Sequence, residues 1–554
     1  MIKANEFLAL LIAVSFYAVN IEAQVTERAR PTEWNNIVEG GRFVDRFLPI
    51  PPIGPLTQDT WGAENVIPRY VNNGIEDDKW SYWGGNILIG DDGKYHFFVC
   101  RWLEDSPKGH MEWPESIVVH TVADNSSGPF KVLKSIGKGH NPEAFKLKDG
   151  GYIIFVIGGH YYSDNINGPW EYREFDFDAR DREIPEGLSN LTFTQREDGS
   201  YIMMCRGGGI WISKDGQSTY NLATEKSIYP EYDGEYEDPV IWRTNIQYHS
   251  IVNDWLGRVA YYMRSKDGVN WKLDSGEAYT PGIVIYEDGT REDWFKYERI
   301  KVLQDEYGRA IQANFAVIDT IKWEDKGNDN HSSKNITIPL THGKLLNILN
   351  EEPINEDTKL IKVEVKAEKG FNPQSDININ SLQFGEPEAV NYGKGGKVLE
   401  TEKVGDDLIV TFDATNIKFP ADEFAAKMLG KTNTGELLFG YARLPGVIYI
   451  EPILSPLLPN ITPTDTGFRL DVEVENFGQV SSGTAKLKVA YFKDNHEVEL
   501  AMGTIPALKP YEKTTVELTC GKLFDEGVDY TFKVTVIPEN NQPTVLHGNL
   551  TPFK

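Results

Sequence analysis

The chain has 554 residues, with 56 basic against 83 acidic side chains for a net charge of −27, and three cysteines. That length exceeds one domain, and two to four are expected. The acidic balance argues against a nucleic-acid partner, which needs clustered Lys and Arg, and three cysteines are too few for a disulfide framework.

Residues 1–23 read as a secretory signal. Lys3 supplies a positive start, Phe7 to Val19 is a short apolar stretch, and Ile21-Glu22-Ala23 resembles a small-residue cleavage site. No cysteine near that point suggests a lipid anchor, and no later stretch is apolar enough to span a bilayer. The expectation is a soluble exported protein, secreted or periplasmic, without a membrane partner.

Between about residues 60 and 325 a polar turn ending in glycine recurs five times. The copies are Asp92-Gly93-Lys94-Tyr95, Asp149-Gly150-Gly151-Tyr152, Asp198-Gly199-Ser200-Tyr201, Trp255-Leu256-Gly257-Arg258 and Glu306-Tyr307-Gly308-Arg309. The runs that follow, such as Tyr95-His96-Phe97-Phe98-Val99, are rich in aromatic and β-branched residues, as strands are. A loose repeat of this length with a hairpin turn in each copy predicts an all-β, five-bladed β-propeller, with Tyr95, Tyr152 and Tyr201 in equivalent strands.

The polar stretch 326–334 reads as the exit from that unit. Leu360-Ile361-Lys362-Val363-Glu364-Val365 and Leu408-Ile409-Val410-Thr411-Phe412 then alternate as strands, predicting a β-sandwich over 335–452. Ala421 to Leu429 is the best helical candidate. Prolines at 452 and 456 break the chain again, and clean alternation at Phe468-Arg469-Leu470-Asp471-Val472-Glu473-Val474 predicts a final immunoglobulin-like β-sandwich over 456–554.

The repeats align on their turns. Counting back from each turn glycine, with Asp238-Pro239 set against Asn141-Pro142, gives a column of Gly84, Asn141, Asn190, Asp238 and Arg299. The column before it is Trp83, His140, Ser189, Glu237 and Glu298. Inner strands of a propeller are ordinarily held by apolar residues, and such charges are costly to bury without partners. His140, Glu237, Asp238 and Glu298 are therefore expected to converge at one end of the axis as a site. The plainer reading is that Asn141 and Asp238 cap turns ahead of a proline.

Aromatic faces suit sugars, so Trp80, Tyr82, Trp83, Trp102 and Trp113 are candidate carbohydrate contacts. Blade-to-blade packing is the alternative for each. His110, in Gly109-His110-Met111-Glu112-Trp113, falls in a loop of the first repeat, and Asn141, Glu143, Asn190 and Arg206 complete the expected binding set. Tyr95-His96 and Tyr248-His249 occupy matching positions, which favours a repeated structural role. His249 stays a candidate because it lies near the acidic pair. The ten histidines show no transition-metal signature.

Taken together, the turns, Glu237-Asp238-Pro239, Ser265-Lys266-Asp267-Gly268-Val269-Asn270-Trp271 and the appended strand-rich units resemble glycoside hydrolase family 43 and relatives such as family 117. The resemblance covers about residues 60–325. It implies hydrolysis of glycosidic bonds in plant or algal polysaccharides or their oligosaccharides by three carboxylates around the axis. It places the general acid in the fourth blade, at Glu237, and keeps His140 and His249 as alternative acids. It also marks two departures. Trp83-Gly84 stand where the family has its base, with Glu76, Asp77 and Asp78 the nearest carboxylates, and Ser189-Asn190 stand at the third-blade aspartate. No cofactor is required for this chemistry, and a structural Ca²⁺ ion near the axis is compatible with it. Two other readings stay open. One is a non-catalytic carbohydrate-binding propeller. The other is a polysaccharide lyase with a His or Tyr base and a neutralising Arg101, Arg206 or Arg264.

Overall fold

The computed structural model describes residues 25–57, 67–148, 150–182, 189–493, 496–521, 524, 527–539 and 542–552. The expected signal at 1–23 lies outside them. Among the described residues no helix is long and apolar enough to cross a membrane.

Five antiparallel sheets follow one another along the chain, each with its strands in sequence order. They begin at Trp80–Ile89, Glu143–Lys146, Thr192–Gln195, Tyr236–Arg243 and Lys296–Gln304. The second strands of the first three sheets open on Tyr95, Tyr152 and Tyr201, in the equivalent positions expected. Four of the five turn glycines, at 93, 150, 199 and 308, have φ between 75° and 98°, which an L side chain rarely adopts. In the fourth repeat the left-handed residue is instead Arg258, one position after the glycine.

The first strands lie side by side, one with two, three with four, four with five and five with one. Glu143 joins the second to the third by accepting from the Thr192 hydroxyl and the Phe193 amide. The five first strands thus close a ring. The fifth sheet has three strands and takes its last, Ser333–Pro339, from beyond the polar stretch expected to end the unit. Ile75, just ahead of the first sheet, bridges that strand at Asn335.

The aligned column has a physical basis. Gly84, Asn141, Asn190, Asp238 and Arg299 all adopt φ between 52° and 57°. In sheets one, four and five the pairing register slips at this point, between Trp83 and Asn86, Glu237 and Val240, and Glu298 and Lys301. An inserted left-handed residue bends the strand and re-aims the preceding side chain. At Gly84 a Cβ would lie 2.7 Å from Asn141 Oδ1 and 3.1 Å from its Cα, so glycine is needed for space as well as for φ +57. Gly84→Ala is expected to cost about 1–2 kcal/mol from the backbone alone. Chemical denaturation checks this, and an unchanged midpoint would contradict it.

Two further units follow. The strands expected to form a sandwich over 335–452 close into a seven-stranded barrel. Its order is Lys344–Ile348, Leu360–Val365, Asp407–Asp413, Gly396–Val404, Gln383–Gly385, Ala425–Lys431 and Leu437–Arg443. Parallel pairing of Lys344 with Gly440 shuts it. Alternation along single strands cannot distinguish two facing sheets from one closed sheet. The helical candidate at Ala421–Leu429 is instead mostly the strand Ala425–Lys431, six of whose seven residues are buried. An apolar run covered on both faces loses the two-residue period. The last unit has two four-stranded antiparallel sheets around one core that includes Leu470, Val472, Leu487, Val489, Phe532 and Val534.

Candidate active site

The left-handed residues place the preceding column at one end of the ring. Trp83, His140, Ser189, Glu237 and Glu298 all line a cavity of about 290 Å³, together with Asn190, Asp238, Arg206, His110, Trp113, Arg299, Lys322, Trp323 and Trp255. His140, Glu237, Asp238 and Glu298 thus meet at a single site.

Three carboxylates form its floor. Asp238 is held by Arg299, whose Nε lies 2.9 Å from Oδ1, and Asn190 donates its amide to Asp238 at 3.0 Å and to Glu237 at 3.3 Å. Lys322 forms a close ion pair with Glu298 and lies 3.9 Å from Glu237. Lys296 stands 3.5 Å from the other Glu298 oxygen, and Arg206 3.8 Å from Glu237. Burial, then the charges of Asp238 and Glu298, push the Glu237 carboxyl up to about 7 against the pull of Lys322 and Arg299. Burial would also raise Glu298, but Lys322 and Lys296 outweigh it and hold that group below the ordinary range. Asp238 is raised by burial, opposed by Arg299. One cavity therefore contains a carboxyl that keeps its proton near neutrality and another that is ionised.

His140 anchors Nδ1 on the Ser116 hydroxyl at 2.9 Å, and its ring lies 4.8 Å from that of Trp113. Burial and Arg299 keep it neutral. His110 binds the Ser333 hydroxyl at 3.0 Å and meets the Trp83 ring edge-on at 4.5 Å, so it holds the wall upright. Lys322 also lies over the Trp83 ring at 5.2 Å.

The structure sends other candidates elsewhere. His249 sits on the second strand of the fourth sheet, stacked on Trp242 at 5.0 Å and bound to the Tyr262 hydroxyl at 2.6 Å. It faces Tyr441 of the barrel and is a packing residue. Tyr82 alternates to the opposite strand face from Trp83 and donates to Asp77 at 2.5 Å. Glu143 lies buried outside the cavity lining, paired with Lys301 at 2.6 Å. Asn141 is buried behind the wall, with both amide atoms lacking a hydrogen-bond partner. None of Glu76, paired with Lys334 at 2.9 Å, Asp77 and Asp78 lines the cavity, so none of the three replaces Trp83-Gly84.

Lys322 and Lys296 were missed by sequence reasoning. Lys296 carried a usable signal, because it precedes Glu298 by two residues and so shares its strand face. Lys322 follows the second strand of the fifth sheet in an irregular loop, where no repeat position marks it.

Oxygens of Glu237, Asp238 and Glu298 come within 4.8 Å of one another, close enough to ligate a cation. Lys296, Arg299 and Lys322 already neutralise them, so this donor set does not fit the Ca²⁺ ion that the resemblance allows near the axis.

No family model matches the chain, and no curated protein matches it. Among solved structures it is similar to the α-L-arabinofuranosidase from Lactobacillus brevis, at 14% identity and a TM-score of 0.33 over 48% of this chain and 91% of that one. It is also similar to a point mutant of the GH43 protein BlXynB from Bacillus licheniformis, at 9% identity and a TM-score of 0.33 over 85% and 89%. A third is the β-fructofuranosidase from Schwanniomyces occidentalis, at 9% identity and a TM-score of 0.20 over 94% and 93%.

Proposed function

We propose that the chain is a glycoside hydrolase, with its five sheets as the blades of a propeller and Glu237 as the proton donor. The observation that carries this is the split between Glu237, pushed up to about 7, and Glu298, held down, in one tryptophan-walled cavity. Hydrolysis of a glycoside needs a proton for the leaving oxygen and a carboxylate that activates water or attacks the sugar, and two acids driven apart meet both needs. Glu237 gives its proton to the leaving oxygen as the bond to the sugar breaks. Glu298 takes the proton of the attacking water or stabilises the positive charge on the ring. Asp238, fixed by Arg299 and Asn190, raises Glu237 and stays out of the transfer. Trp83 and Trp113 offer faces for the apolar side of a sugar.

The substrate class is an oligosaccharide of plant or algal origin. A cavity of about 290 Å³ suits the end of a sugar chain better than a polymer crossing the surface. Export is supported by the pattern of residues 1–23, and the final two-sheet unit is read as immunoglobulin-like. The test is to incubate the purified protein with a panel of neutral and acidic oligosaccharides and follow new reducing ends. Binding without any cleavage would overturn the enzyme reading and favour a carbohydrate-binding module.

A second reading has its own support. The neutral His140, in one cavity with Arg206 and Lys322, is also what a lyase acting on a uronic acid requires. Such an enzyme releases an unsaturated product that absorbs in the ultraviolet, whereas a hydrolase does not.

Because the donor must be protonated, turnover is expected to fall as pH rises through about 7. Asp238→Asn removes the charge that most raises Glu237 after burial, so the alkaline limb should move to lower pH. A limb that stays in place would show that Glu237 is not the titrating group.

A further inference from the structure

A second acidic cluster lies outside the cavity, where the end of the second strand of the first sheet meets the loop 319–332. Glu104 is 3% exposed and Asp325 1%. Glu104 accepts from the Ser81 and Ser332 hydroxyls, at 2.5 and 2.6 Å, through one oxygen only. Its other oxygen is buried without a hydrogen-bond partner, and neither oxygen of Asp325 makes a well-formed hydrogen bond, with the His110 backbone amide near enough to favour its charged form. Asp319 and Asp329 flank the pair. Asp319 receives the Ser332 amide at 3.2 Å and His331 at 3.1 Å. Asp329 receives the amides of Lys326 and His331 at 2.9 and 2.7 Å.

The contrast with the catalytic acids decides the matter. There, Lys and Arg side chains balance every carboxylate. Here, among the described residues, neither Glu104 nor Asp325 has an ion pair with a Lys or Arg. Buried carboxylate oxygens without donors are destabilising, so the fold must supply a positive partner or protons. The backbone is tightly interlocked at this place, since a Cβ on Gly109 would lie 2.0 Å from the Asp325 carbonyl oxygen.

We infer that Glu104 and Asp325 hold a hard divalent cation, Ca²⁺ by its preference for all-oxygen donors, at the junction of the first sheet and the loop 319–332. Carboxylates and hydroxyls with no sulfur or ligating imidazole select Ca²⁺ over a transition metal, and the irregular donor placement suits its flexible coordination better than the strict octahedron of Mg²⁺. The same loop carries Lys322 and Trp323 into the active site. The ion would pin the loop from behind and so fix the lysine that holds Glu298 ionised.

The test uses the full-length protein, dialysed against EDTA and titrated with CaCl₂ by calorimetry, with thermal melting alongside. Wild type is expected to take up Ca²⁺ at this site and melt several degrees higher at saturating Ca²⁺. Asp325→Asn and Glu104→Gln should each lose at least tenfold in affinity, and the double variant should show no Ca²⁺-dependent shift. In EDTA the double variant should melt at or above wild type, because two repelling acids have become neutral amides. Glu237→Gln should bind Ca²⁺ as wild type does, which separates this site from the catalytic carboxylates. Absence of Ca²⁺ uptake by wild type, or uptake unchanged in the double variant, would overturn the proposal and leave shared protons as the balance at this cluster.

Discussion

Glu237→Gln is expected to lower turnover on a cleavable glycoside by about 10²–10⁴-fold, the usual cost of losing an acid that works in the transition state. Stability should move the other way or not at all. The folded Glu237 carboxyl is raised to about 7, above its ordinary value, chiefly by burial and then by Asp238. A group raised on folding contributes stability that is present at low pH and lost as pH rises through the folded value. At pH 8 the Gln variant should therefore melt at or above wild type, and at pH 5 the two should coincide. Asn190 still donates to the new amide oxygen, so the geometry is kept. Full turnover in a variant that melts normally would remove Glu237 from the mechanism. If His140→Ala abolished activity in that case and the wild-type product absorbed in the ultraviolet, the lyase reading would replace the hydrolase.

Lys301→Met should produce the largest loss of stability. Lys301 and Glu143 form an ion pair at 2.6 Å, 3% and 4% exposed, and Lys301 also reaches the Leu191 carbonyl at 3.4 Å. The pair ties the first strand of the fifth sheet to those of the second and third, through the Glu143 contacts with Thr192 and Phe193. Removing the lysine strands a buried carboxylate, and breaking such a pair from one side costs about 3–5 kcal/mol. The melting temperature should fall by on the order of 10 °C. Adding Glu143→Gln to the same protein should restore much of the loss, because the charge that lacked a partner is gone. A single variant that melts with wild type would mean that the ring closes without this pair.

Part of the site could be read before any coordinates. The alignment on turn glycines placed Trp83, His140, Glu237 and Glu298 in one column, and these are cavity walls. The same alignment could not tell lining from backing. Glu143 looked like a ligand contact because it is charged and sits at the mouth of a repeat, yet it lies two residues past the left-handed position and is bound into the ring. His249 was carried as an alternative acid because it lies near Glu237 and Asp238 in sequence, yet its strand packs it against Trp242 and Tyr262, outside the cavity. Tyr82 was misplaced by one residue, which on a strand means the opposite face.

What the chain determined by itself is its local periodicity: turns where glycine must take positive φ, strands where aromatic and β-branched residues alternate, and a repeat whose left-handed positions recur from Gly84 to Arg299. These depend on a few consecutive residues and so survive in one dimension. Only the tertiary structure decided that the middle strands close as a barrel, because closure depends on Lys344 meeting Gly440 across about a hundred residues of chain. The same holds for the chemistry. Glu237 and Glu298 are both glutamates preceded by tyrosine, and Asp238 beside one and Arg299 beside the other begin to separate their proton affinities, but no neighbour in sequence supplies the largest pull on Glu298. Lys322 makes that difference from an irregular loop, because electrostatic energy depends on distance in space and on exclusion of water, and neither is written in the order of residues.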